Sequence, residues 1–154
     1  MIWLPALDGD ARALAIYRRH YSRRVYRDGR KPRLFVGPGE KMVLLTVKCD
    51  ALFVWRKFID KSGQTGVNCA VFRYEDNPGP CHNSTHDHCP SKMIAEACEI
   101  AWGRWPGERL YTYVDPRKVR SGNPGYCFKR AGWRQCGRTK GGLVILEIMA
   151  LEGR

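Results

Sequence analysis

The stretch that decides the fold is SKMIAEACEIAWGRWPGERLYTYVDPRKVRSGNPGYCFKRAGWRQCGRTKGGLVIL, residues 91–146. It reads as helix, strand, polar loop, short helix, strand. Ser91 stands where an N-cap hydroxyl would accept from orphan backbone amides. Ile94, Ala97, Cys98 and Ala101 follow at helical spacing and give the helix one apolar face. Trp105-Pro106-Gly107 ends it. Leu110 to Val114, rich in Tyr, Thr and Val, reads as a strand. Asp115-Pro116 closes that strand, because the residue before a proline is pushed out of helical geometry. Asn123-Pro124-Gly125 is a turn that opens a short helix, Tyr126 to Ala131, with Gly132 as its C-cap. Gly142 to Ile148 is almost wholly apolar, as a strand buried on both faces would be.

Working outward, residues 8–22 read as a first helix capped by Asp8 or Asp10, with Ala13, Leu14, Tyr17 and Tyr21 on one face. It runs into His20-Tyr21-Ser22 and then a basic loop. Leu34 to Val36, Met42 to Thr46, Ala51 to Phe58 and Val67 to Tyr74 read as strands, with residues 60–66 as a turn. At 154 residues, with 44% hydrophobic and 11% aromatic content, the chain is expected to fold as one domain spanning 1–154. A Cys/His-rich loop is inserted at about 76–90. The expected fold is a mixed, mostly antiparallel α/β sheet flanked by helices.

No run approaches the roughly 20 apolar residues of a membrane span. The opening MIWLPALDGDARA lacks a basic start followed by an apolar core. The expectation is therefore a cytoplasmic protein with no membrane partner. Seven cysteines, an odd number, read as reduced thiols, and Cys49, Cys69, Cys98, Cys127 and Cys136 as core thiols.

The net charge of +12 is not spread evenly. Arg18, Arg19, Arg23, Arg24, Arg27, Arg30, Lys31 and Arg33 face a single acid, Asp28. Arg117, Lys118, Arg120, Lys129, Arg130, Arg134, Arg138 and Lys140 form a second block with no acid among them. Two such blocks exceed what solubility requires, and Arg suits phosphate contacts. Tyr17, Tyr21, Tyr26, Tyr126 and Trp133 interleave with them, as stacking on an exposed base would want. The expected partner is nucleic acid. Its proposed contacts are Arg18, Arg19, Arg23, Arg24, Arg27, Arg30, Arg117, Lys118, Arg120, Arg130 and Arg134.

The order of elements resembles the C-terminal half of the GNAT acyltransferase superfamily, and NPGYCFKRAGWRQCGRTK resembles its late helix and the strand after it. That family usually holds the pyrophosphate of acyl-coenzyme A on a Gln/Arg-x-x-Gly-x-Gly/Ala loop at a helix N-terminus. The corresponding stretch here, EDNPGPCHNSTHDHCP, carries no such pattern. Ser91 and Lys92, at the helix start, remain as candidates to receive an anion.

A narrower resemblance fits this gap. The Mom DNA-modification proteins of Mu-like bacteriophages resemble divergent GNAT domains without the standard loop. The matching residues here are His20-Tyr21-Ser22, Arg73 in AVFRYE, Ser91 before KMIAEA, Asp115 in YTYVDP and Tyr126 in NPGYCF. Phe128 is the alternative to Tyr126. The resemblance implies transfer of a carbamoylmethyl-like group to the exocyclic amine of adenine in double-stranded DNA, with the base flipped out, inside a bacterial host. It also implies protection from restriction, and it raises iron as a cofactor.

These residue types suit the chemistry. The lone pair of an exocyclic amine is delocalised into the ring, so it needs a base nearby or an activated donor, and the base must leave the stack. His20 suits general-base work or metal ligation. Asp115 suits orienting it or taking a proton, Arg73 holding a carboxylate or phosphate, and Tyr126 donating a proton or stacking. Each also has an ordinary reading, as helix end, turn former, ion pair or surface group. Cys81, His82, His86, His88 and Cys89 form a dense cluster that reads either as a zinc site or as a polar insertion, its spacing matching no common zinc finger. Two other functions stay open: an N-acyltransferase for another amine, and a DNA-binding protein without catalysis.

Overall fold

The structure, a computed structural model, describes residues 1–59, 61–75, 89–119 and 122–151. Its elements in order are β1 (Trp3–Ala6), α1 (Ala11–Arg18), β2 (Glu40–Thr46), β3 (Ala51–Lys57), β4 (Val67–Tyr74), α2 (Pro90–Arg104), β5 (Leu110–Val114), α3 (Tyr126–Arg130), β6 (Arg134–Arg138) and β7 (Val144–Ile148). One seven-stranded sheet runs β1-β2-β3-β4-β5-β7-β6. Every pair is antiparallel except β4 with β5. The expected mixed α/β sheet is present. No helix among the described residues is long and apolar enough to cross a membrane.

Helix α2 lies across one face of this sheet. Its buried Met93, Ile94, Ala97, Cys98, Ala101 and Trp102 recur at helical spacing and pack on Trp3, Phe53 and Trp55 of the strands. Two indoles fasten it: Trp3 Nε1 donates to the Met93 carbonyl at 2.7 Å and Trp55 Nε1 to the Ala97 carbonyl at 3.1 Å. Truncating an aromatic such as Phe53, fully buried, would cost about 3–5 kcal/mol. Helix α1 covers the other face, where Ala13 and Ile16 meet Val43, Leu45, Leu52, Val54 and Val71.

Several expectations are corrected. The first helix is shorter than 8–22 because Asp10 alone caps it, accepting from the amides of Arg12 and Ala13. Asp8 instead accepts from the amides of Phe35 and Val36 and pairs with Lys41, which holds 34–36 as loop rather than strand. Ser91 is not a cap: the helix starts at Pro90, its N-cap is Cys89, and no side chain caps it. Strand β1, short and interrupted by Pro5, was not expected, whereas β6, polar and largely exposed, stands where the resemblance expected a strand after the late helix. Cys89 is disulfide-bonded rather than a reduced thiol. Cys69 and Cys98 are core thiols, but Cys136 is exposed and Cys49 and Cys127 only half-buried.

Candidate active site

Strands β4 and β5 pair only through Val67↔Leu110, Asn68↔Tyr111 and Cys69↔Thr112. The Thr112 hydroxyl closes the last rung on the Cys69 carbonyl at 2.9 Å. Beyond it β4 continues to Tyr74 and β5 to Val114 without pairing. A bulge in β4 marks the same place. Val54 faces Val71 and Trp55 faces Cys69, which leaves Ala70 without a partner on β3. The strands therefore splay, and a cavity of about 1050 Å³ fills the gap. Its walls include Phe72, Val114 and Phe128, which pack with the α2 face, and Ala70 and Val71, which pack with the α1 face.

Seven residues set apart by sequence reading, His20, Tyr21, Ser22, Arg73, Ser91, Asp115 and Tyr126, all line this cavity. They arrive from separate places. The chain leaves α1 through the C-cap Arg19, and the His20 amide still donates to the Tyr17 carbonyl at 2.9 Å. That turn throws His20 and Tyr21 into the splay. His20 faces the Phe72 carbonyl on β4, Tyr21 faces the Asp115 amide at the end of β5, and the two rings stack at 4.5 Å. The dipeptide bridges the unpaired edges.

His20 is buried, 7% exposed. The Ser22 amide donates to its Nδ1 at 3.1 Å and the Ser22 hydroxyl lies 2.6 Å from the same nitrogen. Nδ1 therefore carries the lone pair and Nε2 the hydrogen. Burial, and then the positive charge of Arg73, bring its pKa down from 6.5 to about 4, against the pull of the Phe72 carbonyl. The ring is neutral at pH 7. Burial raises the Tyr21 phenol, which stays protonated.

Arg73, on β4, gives Nε to Glu75 at 3.1 Å. Its terminal nitrogens meet no partner among the described residues. Arg19 grips Glu75 from the other side, with Nε at 2.6 Å, and the Arg19 hydrogen bonds are the main reason its carboxyl falls to about 2. Asp115 does not touch His20. It is tied to Arg117, whose amide and Nε both lie 3.0 Å from Oδ1, and this pairing lowers its pKa. Ser91 sits in the first turn of α2, its Oγ 3.1 Å from Cys89 Sγ. Tyr126 is 38% exposed and lines the cavity, whereas Phe128 is packed edge-on against Phe72 and Trp133. Cys69 and Cys127 also line the cavity. Burial raises both thiols, so neither offers a ready nucleophile.

The remaining candidates divide. Lys118 and Arg130 line the cavity, with Lys118 Nζ 6.0 Å above the Tyr21 ring. Lys92 is half-buried in α2 away from the cavity lining. Arg18, Arg23, Arg24, Arg27 and Arg30 lie exposed on or beyond α1. Arg19, Arg117 and Arg134 are engaged by Glu75, Asp115 and Glu147 and are not the unpaired cations the charge count implied. Arg120, Cys81, His82, His86 and His88 lie outside the described residues. Asn68 and Tyr113, which sequence reading passed over, line the cavity too. Tyr113 was legible, because it shares a strand face with Asp115 two residues on.

Among the described residues no three His, Cys, Asp or Glu side chains come together as a metal site. The donors at the cavity do not fit one either, since His20 Nδ1 is taken by Ser22 and Asp115 by Arg117. No family model, curated protein or solved structure matches this chain.

Proposed function

We propose that the chain is a GNAT-like transferase of the Mom type, which adds a carbamoylmethyl-like group to the exocyclic amine of adenine in DNA and so shields phage DNA from restriction. One observation carries this reading: seven residues drawn from separated segments, chosen by resemblance, line one cavity. The strand order and the splay of β4 from β5 support the GNAT-like fold. The cavity of about 1050 Å³ is at the upper end of ordinary ligand pockets, so it has room for a flipped base and a donor together.

The residues take these roles. The adenine amine forms a bond to the donor carbon as the bond from that carbon to its leaving group breaks. Once N6 carries the new bond its N–H is strongly acidic, so a base with a pKa of about 4 suffices. The Ser22 hydroxyl accepts that proton while passing its own to His20 Nδ1. The Tyr126 hydroxyl protonates the leaving group. The terminal nitrogens of Arg73 hold an anionic group of the donor, with Lys118 and Arg130 adding positive charge.

The test is nucleoside mass spectrometry of DNA from bacteria expressing the chain, beside a His20→Ala control. A new adenine-derived nucleoside absent from the control is expected. An unaltered profile with well-folded protein would overturn the reading. A second reading, an N-acyltransferase for another amine, draws on Pro90 and Ser91 lining the same cavity at the start of α2, where a helix N-terminus attracts phosphate. Tight binding of acetyl-coenzyme A with unmodified DNA would favour it.

A further inference from the structure

The connection between α1 and β2 runs from 19 to 39, beyond the length of about 12–15 residues at which a structureless loop usually has a function. It is pinned down. The Arg24 amide donates to the Tyr17 hydroxyl at 2.8 Å and Arg18 Nη2 to the Lys31 carbonyl at 3.4 Å. The Asp8 carboxylate accepts from the Phe35 amide at 2.8 Å, and Tyr17 stacks on Phe35 at 4.7 Å. Within the arch, the guanidinium groups of Arg24 and Arg30 lie over the Tyr26 ring at 5.0 and 4.2 Å, which fixes their direction. Arg23, Arg24, Arg27, Arg30, Lys31 and Arg33 are all exposed. In their midst stands Val25, an apolar side chain 75% exposed.

We infer that this arch grips the backbone of duplex DNA and that Val25 is the wedge that holds the base stack open while the adenine occupies the cavity. The inference rests on the adenine-modifying reading. An amine inside a duplex cannot reach a recessed cavity, so the base must be extruded, at a cost of a few kcal/mol in stacking and pairing. Apolar side chains inserted between base steps bear that cost in other DNA-bending proteins, flanked by cations on the phosphates. Val25 has both features, and its branched Cβ keeps it stiff. It lies three residues beyond Ser22, so at most about 11 Å of chain separates it from the cavity lining. A single strand would instead be held by open aromatic rings. The one aromatic ring between Arg23 and Leu34, Tyr26, is already covered by guanidinium groups.

The test uses the full chain and a pool of DNA duplexes with 2-aminopurine at the central position and every combination of flanking bases, beside the same strands unpaired. Binding should raise 2-aminopurine fluorescence severalfold on duplex. Val25→Ala should bind within about twofold of the parent yet lose most of that rise, while joint Arg24→Ala and Arg30→Ala should weaken binding by about tenfold or more. An undiminished rise with Val25→Ala overturns the wedge. If the parent binds duplex without any rise while cellular adenine is modified, the wedge is wrong and the enzymatic reading stands. If neither binding nor modified adenine is found, both fall together.

Discussion

Replacing His20 with Gln removes a group whose environment fixes its charge, and the effect on stability has a definite pH signature. In the unfolded chain the imidazole titrates near 6.5; folded, burial and Arg73 hold it near 4. Between these values the unfolded state binds the proton that the folded state refuses, so the stability His20 contributes is full above pH 6.5 and is lost as pH falls to about 4. Below about 4 both states are protonated and the loss stops. A gap of this size corresponds to about 3 kcal/mol, at about 1.4 kcal/mol per pH unit. Urea unfolding of the parent and of His20→Gln, from about pH 7.5 down to about 4.5, should show the parent losing more stability than the variant, by an amount approaching that figure. The comparison of slopes cancels the other histidines, which both proteins share. Glu75 and Asp10, held near 2, titrate mostly below the window. Parallel curves for the two proteins would refute the buried, neutral imidazole and with it the proton-accepting role of Nδ1. Activity should likewise be flat through pH 6.5, and an inflection there would point to a solvated ring.

Gly125→Ala drives a Cβ into the Leu146 side chain at a φ of +76°. It should cost about 1–3 kcal/mol, lower the melting temperature by several degrees in calorimetry, and shift Tyr126. Asp10→Ala removes the one side-chain cap of α1 and should cost about 1 kcal/mol in denaturant titration, with product formation retained. Glu75→Gln keeps the shape but releases Arg73 and Arg19; product should fall about tenfold with unchanged circular dichroism, and a variant as active as the parent would dismiss Arg73 as an aimed anion receptor.

The sequence made some of this legible because the signals were local. Helical spacing in 94–101 reflects a face that the fold buries, and the Tyr, Thr and Val content of Leu110–Val114 suits a strand that is almost wholly buried. Asp8 was ambiguous for a physical reason: an aspartate before a helix is equally suited to capping it, and only the tertiary fold brings the Phe35 and Val36 amides within its reach. Ser91 misled in the same way. Its spacing suited a cap, but Pro90, needing no amide partner, extends the helix by one residue and puts Ser91 inside the first turn, its hydroxyl beside Cys89 Sγ. The charge blocks could be counted but not resolved into paired and unpaired cations, because Glu75, just past β4, meets Arg19 at the end of α1, and Glu147 on β7 faces Arg134 on the adjacent β6.

The site itself depends on what the strands fail to do. A sheet edge inside a fold is a row of unsatisfied amides and carbonyls, and burying one is costly unless something meets it. Here the bulge at Ala70 and the end of β4–β5 pairing after Cys69↔Thr112 leave two such edges facing each other, and His20 and Tyr21 occupy the space between them. That makes the pair structural and chemical at once. It explains why the imidazole is too buried to charge and why its Nδ1 can look outward to Ser22. Arg73 and Ser22 line the cavity on the α1 side and Ser91 and Tyr126 at α2 and α3, so on the proposed reading the base and the donor meet in one cavity whose thiols, Cys69 and Cys127, are raised by burial and offer no ready nucleophile. Direct transfer within one complex is then the expected order of events, and a covalent enzyme intermediate is not required.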